Sequence, residues 1–326
     1  MNKKICGSIP VVLLAAIMSN HVMAKEAEFP DKPIRLVVPS TAGGGADVIA
    51  RLYADRMSDL LDQPVVVENR PGASTMIGSR QVANAEPDGY TILIAANTLI
   101  AMPLISDDAG YAVEDFVGVT ELGQTPMFVV SGSSSDFNTI YDLVDYAKEN
   151  PGVVTYASGG YGTTAHIAAE MFSESSGVEL LHIPYNGISN ATPDVLSGRV
   201  DFLMASATTT INELVRSGDI RALATSSLAR SPSYNDIPAF GELGYEGAEF
   251  TIFLGLFAPA GTPDYIREIL AEAAGAARED EELQRRKSAM GYSHSGINSP
   301  DEFDGFIRGE NVRYHELMNR IGIAVK

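Results

Sequence analysis

An apolar strand that runs into a glycine-rich turn and then into an amphipathic helix occurs twice in this chain. The first copy is LVVPSTAGGGADVIARL, residues 36–52, and the second is VVTYASGGYGTTAHIAAEMF, residues 153–172. A strand, a turn and a helix start leave unpaired backbone N–H groups at the positive end of a helix dipole. Each corner is therefore a candidate anion site, although a capped turn without a ligand has the same pattern.

Strand-like and helix-like segments alternate along the chain, which is typical of an α/β protein with largely parallel sheets. Apolar residues recur at helical spacing after the first glycine turn, so a helix with one buried face is expected there. We predict strands at 34–38, 65–68, 91–95, 180–184, 200–205 and 220–225. The segment 226–240 is rich in Ser and Pro and is predicted to be a connection.

Two helix starts are predicted in the C-terminal part of the chain. Thr262 can cap a helix whose first residue is Pro263, and Ser299 with Glu302 forms a capping box around Pro300. Proline suits the first helical position because its missing N–H would have no partner there.

The N-terminus has the features of a cleavable signal peptide. Lys3 and Lys4 precede an apolar run at 9–18, and small or apolar residues precede a possible cut after Ala24. A membrane anchor is the other possibility, but the run is shorter than the roughly 20 residues that a spanning helix needs. We therefore predict a signal peptide at 1–24 and a periplasmic protein without thiols, since Cys6 is the only cysteine.

The chain is strongly acidic, with a formal net charge of −19. Removal of residues 1–24 takes away two lysines and no acids, which leaves 21 basic and 42 acidic residues, a net of −21. Such a surface repels nucleic acid and anionic lipid. An anion site in this protein must therefore be local, built from amides and hydroxyls.

The glycine turns do not match nucleotide-binding motifs. No lysine follows Gly45 as a phosphate-binding loop requires, and Val48 stands where a dinucleotide fingerprint has its last glycine. No G-x-S-x-G elbow occurs, and the serines at 133–135 beside Gly132 are interpreted as a solvated turn. We predict no catalytic residues and no cofactor.

His166 and Glu170 are possible metal ligands at i and i+4 on a predicted helix. A local hydrogen bond is the simpler explanation, because no further histidine or cysteine stands at ligand spacing. We predict no metal site.

The chain resembles the Bug family, the extracytoplasmic solute receptors of tripartite tricarboxylate transporters. The resemblance covers nearly all of the mature chain in ordered blocks, which are DKPIRLVVPSTAGGGADVIARL, QPVVVENRPGAS, ANAEPDGYTILIA, YASGGYGTTAHIAAEMF, HIPYNG, LSGRVDF, IRALATSS and GLFAPAGTP.

This resemblance implies a monomeric periplasmic binding protein of the Venus-flytrap type, with two α/β lobes around a cleft. We expect one lobe at 25–125 plus 240–326 and the other at 126–239. The implied partners are membrane permease subunits and a small organic acid, which could be a dicarboxylate, a tricarboxylate, an aromatic acid or an acidic amino acid.

In the family the two corners hold a ligand carboxylate, and matching positions give the expected site of this chain. The ligand-binding residues implied in this way, together with residues expected at strand ends on the cleft, are Thr41, Ala42, Gly43, Gly44, Gly45, Ala46, Asp47, Asn97, Thr98, Ser158, Gly159, Gly162, Thr163, Thr164, Tyr185, Asn186 and Ser206.

Several of these assignments have alternatives. Asp47 either caps its helix or accepts a hydrogen bond from the ligand, and Arg70 is either a carboxylate clamp or one partner of an ion pair. The chain departs from the family at Ser40, where an aromatic is frequent, at Ala46, where threonine is common, and at Phe253, where tryptophan is usual. These departures bear on which acid is bound.

Two rival functions remain open from the sequence. A receptor of this kind could report its ligand to a sensor kinase instead of a permease. A secreted hydrolase could use a serine near Gly132 or Gly159, although the elbow and a base are missing.

Overall fold

The computed structural model describes residues 29–185, 187–230 and 234–322. The predicted signal peptide and Asn186 lie outside the described residues. The strands are β1 (Ile34–Val38), β2 (Val65–Asn69), β3 (Thr91–Ala96), β4 (Phe116–Gly132), β5 (Thr155–Ser158), β6 (Leu181–Pro184), β7 (Phe202–Ser206), β8 (Ile220–Thr225) and β9 (Thr251–Pro259). The helices are α1 (Gly45–Leu61), α2 (Met76–Ala83), α3 (Thr98–Ile105), α4 (Ile140–Glu149), α5 (Thr164–Ser176), α6 (Ile188–Leu196), α7 (Thr209–Ser217), α8 (Phe240–Leu243), α9 (Asp264–Arg278), α10 (Glu281–Ala289) and α11 (Pro300–Arg320).

The strands form one sheet in the order β2-β1-β3-β9-β4-β7-β5-β6, with β8 paired to β4. Strands that alternate with helices pair in parallel, as β1 does with β2 and β3, and as β5 does with β6 and β7. The antiparallel pairs between these named strands all involve β4 or β9. The predicted α/β class is confirmed, with parallel ladders on both sides of an antiparallel centre.

The long strand β4 runs through both halves of the sheet. Its residues up to Pro126 pair with β9, and its residues from Met127 onward pair with β7 and β8. The sequence did not predict β4, because register shifts between Gly118 and Thr120 and between Glu121 and Gly123 break the two-residue period. The boundaries of the two lobes stay a prediction.

Three groups of buried side chains make up the core. One packs α1 and α9 against β1, β3 and β9. A second packs α6 and α7 against β7 and the end of β4. The third continues from α2 and α3 through β4 to α4, α5 and α11. Since this last group includes residues of β1 and β3 as well as of β5 and β7, the two halves of the sheet share one core.

The helix starts show one confirmed prediction and one error. The Ser299 hydroxyl accepts from the amide of Glu302, whose carboxylate accepts from the amide of Ser299, and Pro300 is the first helical residue. At the other start the helix begins one residue later than predicted. Pro263 is the cap of α9, and the Thr262 hydroxyl donates to the carbonyl of Pro259 at 2.8 Å instead of capping the helix.

Candidate functional site

The first corner joins β1 to α1 through Gly43 and Gly44. Gly43 has a φ of 82°, a left-handed conformation that favours glycine, and Gly44 is the helix cap in extended conformation. The cap provides no side-chain hydrogen bond. The first amides of a helix have no partner within it, so the N–H groups at the start of α1 are available to a ligand.

The Asp47 carboxylate stabilises this corner through hydrogen bonds. Its carboxylate accepts from the amide of Gly43 at 2.8 Å, from the side-chain amide of Asn69 at 2.9 Å and from Nε of Arg51 at 3.1 Å. Burial acts to raise the pKa of Asp47, but these hydrogen bonds keep it below its usual value. The Asp47 side chain is buried and points into the corner, so the structure supports the capping interpretation over a direct ligand contact.

The second corner joins β5 to α5 and repeats the first. Gly162 has a φ of 72°, and Thr163 is the helix cap in extended conformation, with no side-chain cap hydrogen bond. The amide of Gly162 donates to Nδ1 of His166 at 3.0 Å. The Thr163 hydroxyl donates to the carbonyl of Gly160 at 2.8 Å, which braces the turn and leaves the start of α5 open.

A stack of aromatic rings lies beneath the second corner. The rings of His166 and His182 are 4.2 Å apart and nearly parallel, and His182 stacks in turn on Tyr156 at 4.8 Å. Burial lowers the pKa of His166 to about 4, with a further contribution from His182. His166 is therefore neutral near pH 7 and able to accept at Nδ1, and burial also lowers the pKa of His182.

Both corners line a single cleft of about 540 Å³. Gly43, Gly44 and Gly45 reach it from the first corner, and Thr164 reaches it from the second. Ser206, at the end of β7, is the remaining predicted site residue in the lining. The two helix starts thus face the same space, which is the arrangement that a shared anion site requires.

The other predicted site residues lie around the cleft instead of lining it. They are Thr41, Ala42, Ala46, Asp47, Asn97, Thr98, Ser158, Gly159, Gly162, Thr163 and Tyr185. Asn97 follows β3 as expected, but it has no exposed surface. Its side chain bridges β9, donating to the carbonyl of Thr251 at 3.0 Å and accepting from the amide of Phe253 at 3.1 Å. We therefore correct its role from ligand contact to support of the sheet.

Thr98 and Tyr185 also have partners within the protein. Thr98 accepts from the hydroxyl of Thr75 at 3.1 Å, and the Tyr185 hydroxyl donates to Asp194 at 2.6 Å. Arg70 pairs with Glu68, with Nε to Oε1 at 2.6 Å, which supports the ion-pair interpretation. Phe253 is buried beside Phe306, with ring centroids 5.3 Å apart.

The sequence indicated only the threonine-rich part of one wall of the cleft. Side chains of α6 and α7 form much of it, together with Met127, Met204 and Met290. The threonine-rich segment at the start of α7 was the available signal, and Thr208 and Thr210 do line the cleft. The apolar members gave no signal, because at helical spacing they are indistinguishable from core residues.

The residues considered as possible catalytic or metal-binding groups have structural roles. Ser158 contacts Nε2 of His182 at 2.7 Å, but Ser158 is fully buried and also donates to the carbonyl of Gly160. Glu170 accepts from the hydroxyl of Tyr156 instead of joining His166. Within the described ranges no group of three or more His, Cys, Asp or Glu residues is placed to hold a metal ion.

A family model described as the tripartite tricarboxylate transporter family receptor matches residues 49–323. The chain belongs to this family. The members of the family are receptors, so the prediction of a receptor instead of an enzyme is confirmed, and the resemblance seen in the sequence is confirmed with it. The hydrolase alternative is accordingly dropped.

Sequence relatives of this family receptor match over almost its whole length. It is 34% identical to the UPF0065 protein in the tcbD-tcbE intergenic region of Pseudomonas sp. (strain P51), over 94% of this chain and 91% of the relative. It is 32% identical to Protein BugT of Bordetella pertussis, over 91% of this chain and 92% of the relative.

Solved structures of the same kind superpose well. The periplasmic binding protein BugD matches with a TM-score of 0.80 at 33% identity, over 91% of this chain and 99% of BugD. The R. palustris protein Rpa4515, solved with adipate, matches with a TM-score of 0.82 at 30% identity, over 91% of this chain and 99% of that protein. The predicted two-lobed fold is confirmed by these neighbours. In the part of the chain that the structure describes, no helix is both long and apolar enough to cross a membrane.

Proposed function

We propose that this protein is a periplasmic receptor that captures a small organic carboxylate and delivers it to the permease of a tripartite tricarboxylate-type transporter. The ligand carboxylate lies between the starts of α1 and α5. The lobes at 25–125 plus 240–326 and at 126–239 close on it, and a cleavable signal peptide at 1–24 directs export. The receptor acts as a monomer.

The observation that carries this proposal is the shared cleft between two equivalent helix starts. Gly45 and Thr164 are the first residues of α1 and α5, and both line the cleft. Backbone N–H groups at these positions are donors to an anion, and each charge-assisted hydrogen bond contributes roughly 1.5 to 3 kcal/mol. No lysine or arginine lines the cleft among the described residues, so the amides and hydroxyls hold the charge.

The similar proteins support both the ligand class and the compartment. The structure of Rpa4515 contains adipate, a carboxylate, and BugD is a periplasmic binding protein. With an acidic surface, this chain also needs a local donor cluster to attract an anion at all.

Thermal unfolding of the mature protein with matched ligand pairs tests the proposal. Each organic acid is compared with its neutral amide. A carboxylate at a hundred times its dissociation constant should raise the free energy of unfolding by about 2.7 kcal/mol and raise the melting temperature by a few degrees. Stabilisation by the amides to the same extent as by the acids would refute a carboxylate site.

A substitution at the first corner gives a second test. Gly44→Leu should abolish carboxylate binding, because a Cβ at this position lies 3.3 Å from the carbonyl of Thr41 and the larger side chain enters the cleft. Gly309→Leu on α11 is the control, since its Cβ meets nothing within 4 Å. Unchanged affinity in the Gly44 variant, with its circular dichroism intact, would make the first corner a plain turn.

A further inference from the structure

Beyond the two corners, the cleft has an apolar wall. It is formed by side chains of β4, β7, α6 and α7, which are Met127, Ile188, Leu196, Met204, Ile211 and Leu214. Aliphatic and thioether side chains of this kind bind apolar groups and adapt to irregular shapes.

The polar groups of this wall are uncharged, and some are already engaged. The Thr192 hydroxyl donates to the carbonyl of Ile188 at 3.0 Å, and the Thr208 hydroxyl accepts from the amide of Ile211 at 3.3 Å as the cap of α7. Among the cleft-lining residues that the structure describes, none is Asp, Glu, Lys, Arg or His. The start of α7 is capped by Thr208, whereas the start of α6 at Ile188 has no side-chain cap and also reaches the lining.

A second carboxylate on the ligand would be placed unfavourably against this wall. Against its apolar side chains it would lose hydration without gaining either a cation or the pair of facing helix starts that holds the first carboxylate. The formal net charge of −19 adds to the cost, because repulsion grows with the charge of the ligand. An apolar tail would bind favourably to this wall, because it moves out of water and contacts apolar side chains.

We propose that the ligand is a monocarboxylate with an uncharged, largely apolar tail, aliphatic or aromatic, and this inference rests on the proposed function. The carboxylate binds at the corners and the tail lies against α6 and α7. The wall discriminates against dicarboxylates and tricarboxylates of similar size.

An alternative place for a second carboxylate is a neighbouring recess of about 200 Å³. Arg216 from α7 and Arg286 from α10 line it, and it shares Val48 and Met290 with the cleft. Both arginines are exposed, so their charges are well hydrated. A dicarboxylate that reached this recess would depend on the two arginines.

Hexanoate and adipate form a matched test pair, because they have the same length and differ in the terminal carboxylate. Calorimetry on the mature protein at pH 7.5 should give hexanoate at least tenfold tighter binding, with hexanamide much weaker than hexanoate. Adipate binding as tightly as hexanoate, or tighter, overturns the inference and leaves the proposed function intact. Hexanamide binding as tightly as hexanoate would refute the proposed function instead.

Variants of the wall test the reason for the preference. Leu214→Arg should shift the hexanoate-to-adipate affinity ratio toward adipate by at least tenfold, and Leu214→Gln should not, because it adds polarity without charge. If Leu214→Arg does not fold, Leu196→Arg provides the same test from α6. An unchanged ratio in a folded arginine variant contradicts the assignment of the tail to this wall.

Variants of the recess test the alternative directly. Arg216→Ala and Arg286→Ala should leave hexanoate and adipate affinities within about twofold of those of the unmodified protein. A selective loss of adipate binding in either variant would place a second carboxylate in the recess and overturn the inference.

Discussion

Asp47 and His166 occupy equivalent positions, as the third residues of α1 and α5, and each accepts a hydrogen bond from the glycine four residues before it. These hydrogen bonds fix Gly43 and Gly162 in left-handed conformations. Each helix start is therefore oriented by a side chain of its own first turn. The two acceptors differ in charge. Asp47 is an anion paired with Arg51, whereas His166 is neutral.

This difference predicts an effect of charge at the second corner. His166→Asn keeps an acceptor near the position of Nδ1, while His166→Asp adds a negative charge without an arginine like Arg51 beside it. We expect the aspartate variant to bind a carboxylate at least about tenfold more weakly than the asparagine variant at pH 7.5, because a like charge opposes the helix dipole. Calorimetry on both variants measures this ratio.

The asparagine variant is the control for loss of the ring stack with His182. Its affinity should remain within several-fold of that of the unmodified protein. Equal affinities in the two variants would show that the second corner contributes no electrostatic attraction.

The corners could be predicted from the sequence because their signals are local. An apolar run, two or three glycines and a helical period all fall within the quoted segments 36–52 and 153–172. The same reasoning placed β1 and β8 at their observed bounds. It also gave both possible roles of Asp47, and only its contacts with Gly43 and Asn69 favour capping.

Features that depend on distant parts of the chain could not be predicted in this way. Asn97 lies at the end of its strand as expected, yet its partners Thr251 and Phe253 belong to β9, more than 150 residues further along. The apolar wall of the cleft depends on how α6 and α7 pack around β7. Helical spacing shows that one face of such a helix is apolar, but not whether that face meets the core or a ligand.

The lowered pKa of His166 predicts acid sensitivity. Between the ordinary histidine pKa of about 6.5 and the folded value of about 4, the unfolded chain binds a proton that the folded chain does not. The free energy of unfolding should therefore decrease as the pH is lowered through this window, by up to roughly 3 kcal/mol from this one group. Urea unfolding from pH 7.5 to 4.5 measures the decline.

His166→Asn is again the comparison, because it removes the titrating ring. Its unfolding free energy should depend less on pH over the same window, with the remaining slope arising from His182 and other groups. Parallel curves for the two proteins would contradict the assignment of the decline to His166.

Gly43 and Gly45 predict opposite effects of an added methyl group. Gly43→Ala meets no atom within 4 Å, but it forces alanine to a φ of 82°, so we expect a loss of about 1 kcal/mol of stability. Gly45→Ala places its methyl 3.6 Å from Met290 at a helical position, where alanine is favoured over glycine by up to about 1 kcal/mol. Urea midpoints distinguish the two, and equal destabilisation would refute the role of backbone conformation.

Ser226 connects the two chain segments that pass between the halves of the sheet. Its amide donates to the carbonyl of Met127 at 2.8 Å and its hydroxyl accepts from the amide of Met127 at 2.9 Å. On its other side the carbonyl accepts from the amide of Phe250 at 2.8 Å, and the hydroxyl donates to the carbonyl of Phe250. The residue is fully buried at the point where β4 changes partners.

Removal of this hydroxyl should therefore be costly. Ser226→Ala leaves the buried amide of Met127 without that partner, and we expect a loss of about 1 to 3 kcal/mol of unfolding free energy. Ser131→Ala is the matched control, because Ser131 is an equally buried serine of β4 whose hydroxyl has no hydrogen-bond partner. That variant should be neutral or slightly stabilising. Urea unfolding of both variants measures the difference in stability. Similar losses would show that the Ser226 hydroxyl does not stabilise the contact between the segments at Met127 and Phe250.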